Sequence, residues 1–117
     1  MQPNCTKLKM ALLEQCAALP YIKTERGLLV LLVTTRGTGR WTIPKGWPKS
    51  DLSNSELTAR EAFEEAGVAG EISNRMLGSF IYTKRLHLFS WVRCRVEVYP
   101  LHADCQHISW PEKVAAG

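Results

Sequence analysis

Arg60, Glu61, Glu64 and Glu65 are the residues of this 117-residue chain whose types and spacing are best suited to chemistry. On a helix, residues three and four apart share a face, so the three glutamates project together. Carboxylates gathered this way repel one another unless something positive compensates. A hard divalent cation does so through oxygen ligands, and Mg²⁺ takes a few carboxylates together with substrate phosphates. Such an ion can activate water, polarise a phosphoryl oxygen and orient both reactants. The bland alternative is a solvated helix face. There Glu56, Arg60 and Glu64 would pair at four-residue spacing, each pair contributing only about 0.2–0.5 kcal/mol.

The elements that must position these residues follow from local pattern. Ser53-Asn-Ser-Glu56 fits a capping box, in which a serine and a glutamate satisfy each other's orphan amides at a helix start. The helix is predicted to run to about Ala66, with Gly67 as a left-handed stop. Its apolar positions Ala59, Ala62, Phe63 and Ala66 fall on one stripe expected to face the core. Ahead of it, Cys16 to Lys23 reads as a strand, placed at an edge or bulge by Pro20. Leu28 to Thr35 reads as a strand buried on both faces. Trp41 to Ile43 is a short strand stopped by Pro44. Beyond the helix, Glu71 to Thr83 and Leu86 to Val98 read as extended. Val92, Cys94, Val96 and Val98 alternate there with Arg93, Arg95 and Glu97, the mark of a half-buried strand.

Composition bounds the rest. The 45% apolar and 22% charged content fits one ordinary globular domain over residues 1–117 and argues against disorder. The longest apolar run, Leu28 to Val33, has six residues against the roughly 20 of a membrane span, so no membrane partner is expected. Residues 1–15 read as a lead-in to the first strand. Cys5, Cys16, Cys94 and Cys105 show no metal-ligand spacing and read as reduced thiols of a cytoplasmic protein. A formal charge of +4 suits a polyanionic partner without choosing among polyphosphates, nucleotides and RNA.

From Gly46 to Val68 the chain reads GWPKSDLSNSELTAREAFEEAGV, which resembles the Nudix box, G-x5-E-x7-R-E-U-x-E-E-x-G-U with U aliphatic. Gly46, Arg60, Glu61, Glu64, Glu65 and Gly67 fall in register, with Ala62 and Val68 at the U positions. A chance match this good has odds on the order of one in ten thousand. The departure is Leu52, where the family has a glutamate that supports the box arginine; Glu56 or the adjacent Asp51 could serve instead. The likeness extends over roughly Ala17 to Pro111, with Gly70 to Phe80 similar in flavour to diphosphoinositol polyphosphate and diadenosine polyphosphate hydrolases.

That resemblance implies an α/β fold, an α/β/α sandwich around a mixed sheet, with the C-terminal helix short or missing because little follows Trp110-Pro111. A truncated chain, or a second subunit covering the sheet in a homodimer, is the corresponding expectation. It further implies Mg²⁺ or Mn²⁺ held by Glu61, Glu65 and Glu64 near the Gly46 backbone, with Arg60 orienting the glutamates. The reaction implied is hydrolysis of a pyrophosphate bond in a nucleoside diphosphate linked to another group, or in a related polyphosphate. The alternative is a catalytically silent module that binds a phosphorylated ligand or RNA. Lys45, Lys49, Arg36, Arg40, Lys84 and Arg85 are candidate phosphate contacts, since arginine binds phosphate bidentately and lysine as a point charge. A small phosphorylated molecule is the expected partner, ahead of nucleic acid.

Overall fold

A computed structural model describes residues 12–35 and 38–113. Eight strands and one helix follow in the order β1 (Leu12–Thr24), β2 (Gly27–Val30), β3 (Val33–Thr34), β4 (Trp41–Thr42), β5 (Lys45–Gly46), α1 (Asn54–Ala66), β6 (Val68–Ile72), β7 (Gly78–His87) and β8 (Ser90–Gln106). β1 and β8 form the centre of a mixed six-stranded sheet and run parallel from the Leu12–Arg93 pair to the Tyr21–His102 pair. β2 and β5 pair with β1 on one side, while β7 and β6 pair with successive stretches of β8 on the other. β3 and β4 make a separate two-stranded ribbon.

The helix starts and stops where its sequence says it should. Ser53 sits in extended conformation and its Oγ accepts from the Glu56 amide at 3.2 Å. The Glu56 carboxylate in turn accepts from Ser53 Oγ at 2.9 Å. Gly67 closes the helix at φ 71°, and its amide donates to the Phe63 carbonyl at 2.8 Å. Trp110 packs flat against the Gly67 Cα, a space that any Cβ would fill. The buried stripe is Leu57, Thr58, Ala62 and Ala66, whereas Ala59 and Phe63 are only half-buried. Leu57 and Thr58 are both fully buried, and the helix lies across β1 and β6. Phe63 stands edge-on to His107 at 5.1 Å instead.

Strand alternation gives the sheet a core on each face. Ala18 and Leu101 point toward the helix and pack on Ala62, Ala66 and Val68. Ala17, Val96 and Val98 point the other way, against Leu19, Ile43 and Tyr82. The alternation expected from Val92 to Val98 is present: Cys94 and Val96 are fully buried, and Arg93 and Arg95 are exposed.

Three expectations need correction. Leu28 to Thr35 is not one buried strand but β2 and β3, and Leu28 and Leu29 stay 62% and 57% exposed. β2 pairs only with β1 among the described residues, and a short apolar run does not reveal whether anything lies on its far side. Pro20 belongs to an internal strand, not an edge. Its missing N–H falls where the neighbour of β1 changes from β5, paired at Cys16 and Ala17, to β2, paired from Tyr21. Finally, residues 12–15 are not lead-in but the start of β1, drawn into the sheet by pairing with Arg93 to Val96, and Gln15 is buried. Residues 1–11 and 114–117 lie outside the described residues, as does the completion of any C-terminal helix. Among the described residues α1 is the single helix.

Candidate metal and phosphate site

The site is built where β5 meets the exposed side of α1. β5 is only two residues long, yet it lies between β1 and the helix and fixes both partners. The Lys45 amide donates to Glu65 Oε2 at 3.1 Å. Gly46 turns its Cα to Glu61 so closely that a Cβ there would fall 2.5 Å from Glu61 Cδ and 2.6 Å from its Oε1. A residue without a side chain is what permits this approach.

Around Glu61 the acids gather. Carboxylate oxygens of Glu61, Glu64 and Glu112 can be chosen that all lie within 4.8 Å of one another. Glu112 reaches the cluster because its amide donates to the Glu64 carbonyl at 2.9 Å, fastening the segment after Trp110 to the helix. Glu65 and Glu61 are in carboxyl–carboxyl hydrogen-bond contact. Burial pushes Glu65 up to about 8, with the bond to Glu61 and the charges of Glu61 and Glu112 adding to it. Burial also raises Glu61, together with the Glu64 and Glu112 charges, while its bond with Glu65 and the Lys49 charge lower it. Glu65 therefore keeps the shared proton and Glu61 accepts from it. A divalent cation can take the place of the proton that Glu61 and Glu65 share, with Glu64 and Glu112 close to Glu61.

Glu61 and Glu65 also line a cleft of about 350 Å³, together with Gln15, Lys45, Gly46, Trp47, Lys49 and Lys84. Lys45 Nζ donates to Thr42 Oγ1 at 3.0 Å and lies 5.6 Å above the Tyr82 ring. Burial lowers the Lys45 pKa and nearby Lys84 lowers it further, against the opposing pull of Glu65. Tyr82 donates to Gln15 Oε1 at 2.5 Å, and burial pushes its hydroxyl up to about 12. Glu61 and Glu65 thus share the cleft with Lys45, Lys49 and Lys84.

No family model matches the chain. Among curated proteins it is 34% identical over 103 residues to the Bos taurus diphosphoinositol polyphosphate phosphohydrolase 3-beta, covering 86% of this chain and 58% of that one. It is 30% identical over 86 residues to Nudix hydrolase 16, mitochondrial, of Arabidopsis thaliana, covering 71% and 47%. The chain thus spans about half the length of these relatives. The solved Ap4A hydrolase of C. elegans has the same fold, with TM-score 0.56 at 16% identity over 79% of this chain and 70% of that one.

The chain is a relative of the Nudix hydrolases.

The residues that resemble the Nudix box are laid out as follows. Gly46 and Glu61 touch, Glu64 lies beside Glu61, and Glu65 is tied to the Lys45 amide. Arg60 is exposed and, among the described residues, donates no hydrogen bond to Glu61, Glu64 or Glu65. Glu56, a candidate to support it, is engaged by Ser53 at the helix cap. Of the candidate phosphate contacts, Lys45, Lys49 and Lys84 line the cleft together. Arg85 turns to the opposite face of its strand, 5.6 Å from the Trp91 ring, and donates to the Leu88 carbonyl at 3.2 Å. Arg40 is an exposed member of the turn closed by its contacts with Thr35. Arg36 lies outside the described residues.

Sequence reasoning missed three participants. Glu112 is nearly fifty residues from the helix and belongs to no pattern there. Gln15 sat in a segment read as lead-in. Tyr82 became relevant only through pairing with Cys94, which sets it on the Lys45 face of the sheet.

Proposed function

We propose that this Nudix domain hydrolyses a pyrophosphate bond in a nucleoside diphosphate linked to another group or in a related polyphosphate, using Mg²⁺ or Mn²⁺. What carries the reading is one cleft in which Glu61 and Glu65 meet three lysines, with Glu64 and Glu112 clustered beside Glu61. Water adds to one phosphorus, the bridging P–O bond breaks, and two phosphate ends leave with release of one proton.

Glu61, Glu64 and Glu112, with the Gly46 backbone alongside, would hold the ion, and Glu65 completes the group once its proton is gone. A bound divalent ion would neutralise phosphate oxygens and make the attacking water more acidic. Lys45, Lys49 and Lys84 bind and orient the phosphates. Lys45 and Lys84 stand close enough to lower the Lys45 pKa, a repulsion that a bridging phosphate would reverse. A carboxylate of this cluster takes the proton from water. Arg60 would need to turn toward the glutamates to orient them. Its present exposure leaves it free to do so.

The test is turnover with Mg²⁺ or Mn²⁺ on a panel of dinucleoside polyphosphates, diphosphoinositol polyphosphates, nucleoside diphosphate sugars and nucleoside triphosphates. At least one is expected to release phosphate-ended products, and Glu65→Gln is expected to abolish that release. Binding without turnover across the panel would overturn hydrolysis in favour of a silent ligand-binding module.

A further inference from the structure

The β7–β8 hairpin projects beyond the packed part of the sheet, and its tip has an unusual composition. His87 pairs with Ser90, so the two corner residues of the turn are Leu88 and Phe89. Two-residue turns favour Gly, Asn and Asp, which suit the backbone and sit in water. Here the corners are large and apolar. Phe89 is 89% exposed and Leu88 65% exposed, and the adjoining Trp91 is 61% exposed. No packing need explains them, because all three lie outside the two buried cores.

The charge of the same hairpin is one-sided. Between Glu71 and Glu97 the chain has no acidic residue but carries Arg75, Lys84, Arg85, Arg93 and Arg95. Register places Arg85 opposite Trp91, Thr83 opposite Arg93 and Ile81 opposite Arg95, so three arginines, Trp91 and Ile81 share one face. Arg85 stacks on Trp91, joining the cationic band to the apolar tip. Lys84 points to the other face and into the cleft. The first acid met on the arginine face is Glu14, level with Arg95 at the end away from the tip.

We propose that this hairpin docks on an anionic lipid surface, with Leu88 and Phe89 entering the headgroup region and Arg85 and Arg93 meeting lipid phosphates. A hairpin tip can enter a bilayer interface without any spanning segment. The spacing is suitable: Arg93 lies four residues from Phe89, about 13 Å at roughly 3.3 Å per residue, and interfacial elements bury their apolar side about 5–10 Å deep. Indole and phenyl rings favour that depth, and lysine or arginine near an anionic leaflet adds attraction. A second copy of the chain fits less well, because hairpin on hairpin would oppose the same cations to each other.

Vesicle sedimentation tests the proposal, with phosphatidylcholine alone and with phosphatidylcholine mixed with phosphatidylserine. The chain is expected to pellet with the anionic vesicles only, and less so when salt rises from about 0.1 M to about 0.5 M. The double variant Leu88→Ser/Phe89→Ser, whose side chains belong to neither core, is expected to keep its circular dichroism and melting temperature yet bind about tenfold more weakly. Failure to pellet with anionic vesicles would overturn the proposal. So would undiminished binding of the double variant, which would mean adsorption by charge alone. Self-association in sedimentation velocity that the double variant abolishes, without vesicle binding, would make the tip a subunit contact instead and also overturn it.

Discussion

Replacing Gly46 with alanine places one methyl group where the Glu61 carboxylate now lies. The added carbon would stand 2.5 Å from Glu61 Cδ, against an ordinary contact that begins at 3.4 Å, so the carboxylate must retreat by about 0.9 Å. Gly46 has no positive φ, so the backbone itself accepts alanine. The obstruction is the far end of a flexible side chain that swings into the cleft. Stability should therefore change little, since alanine gains about 0.4–1 kcal/mol from a less free unfolded chain and the clash offsets some of it. Function should change much more. Metal ligation tolerates errors of only about 0.2 Å, and a misplacement near 1 Å at a reacting centre costs on the order of a hundredfold in rate. Titration calorimetry with Mn²⁺ should show affinity falling about tenfold or more, and turnover about a hundredfold. Metal affinity and turnover within about threefold of the parent would refute the reasoning, because Glu61 would then not need its present place. A collapse of the melting temperature would refute it differently, by showing that the backbone and not Glu61 yields.

Glu65 supplies a pH test. Its folded pKa of about 8 lies above the ordinary 4.5, so the folded chain keeps a proton that the unfolded chain releases. Metal-free stability should fall as pH rises from about 4.5 to about 8 and level off above; the size is moderated because the carboxyl is only partly shielded from water. Thermal melts should accordingly show a larger stabilisation by Mg²⁺ or Mn²⁺ at pH 8.5 than at pH 6, and an equal effect at both would contradict the assignment. Ser53→Ala removes the side-chain cap on the Glu56 amide and should cost about 1 kcal/mol by urea denaturation, leaving metal affinity intact. Leu57→Ala opens a hole at a fully buried position of α1 and should cost about 2–5 kcal/mol. Loss below about 1 kcal/mol would mean that the helix is not anchored there.

The bounds of the helix were legible because their signals are local: Ser53, Glu56 and Gly67 act within one turn of themselves, whereas its buried face includes Leu57 and Thr58 in place of Ala59 and Phe63. The box carboxylates were legible for the same reason, since spacing on a helix decides which residues share a face. The sheet was less so. Leu28 to Val33 has the same apolar run whether a strand lies at the edge or in the middle, and only the absence of a further described strand beside β2 distinguishes them. Pro20 misled because an internal strand can host proline where its neighbour changes. Glu112 and Gln15 join the site through pairing and loop contacts across large sequence separations, which no short-range pattern encodes. The lysines divided likewise: Lys45, Lys49 and Lys84 meet in the cleft, while Arg85, one residue on from Lys84, is carried to the opposite face by the alternation of β7.

The shortness of β5 has a consequence for how the site responds to ligands. Its two residues pair with β1 at Cys16 and Ala17 alone, whereas β1 and β8 are joined over ten residue pairs. Segments with few pairings open at low free energy while the rest of the domain stays folded. Lys45 and Gly46 thus carry a cleft lysine and the glycine beside Glu61 on the most lightly paired strand of the six-stranded sheet. A ligand that touched both Lys45 and Glu61 would hold that strand in its paired position. Its measured affinity would then include the fraction of time that β5 is already paired, and hydrogen exchange at these two amides would report it directly.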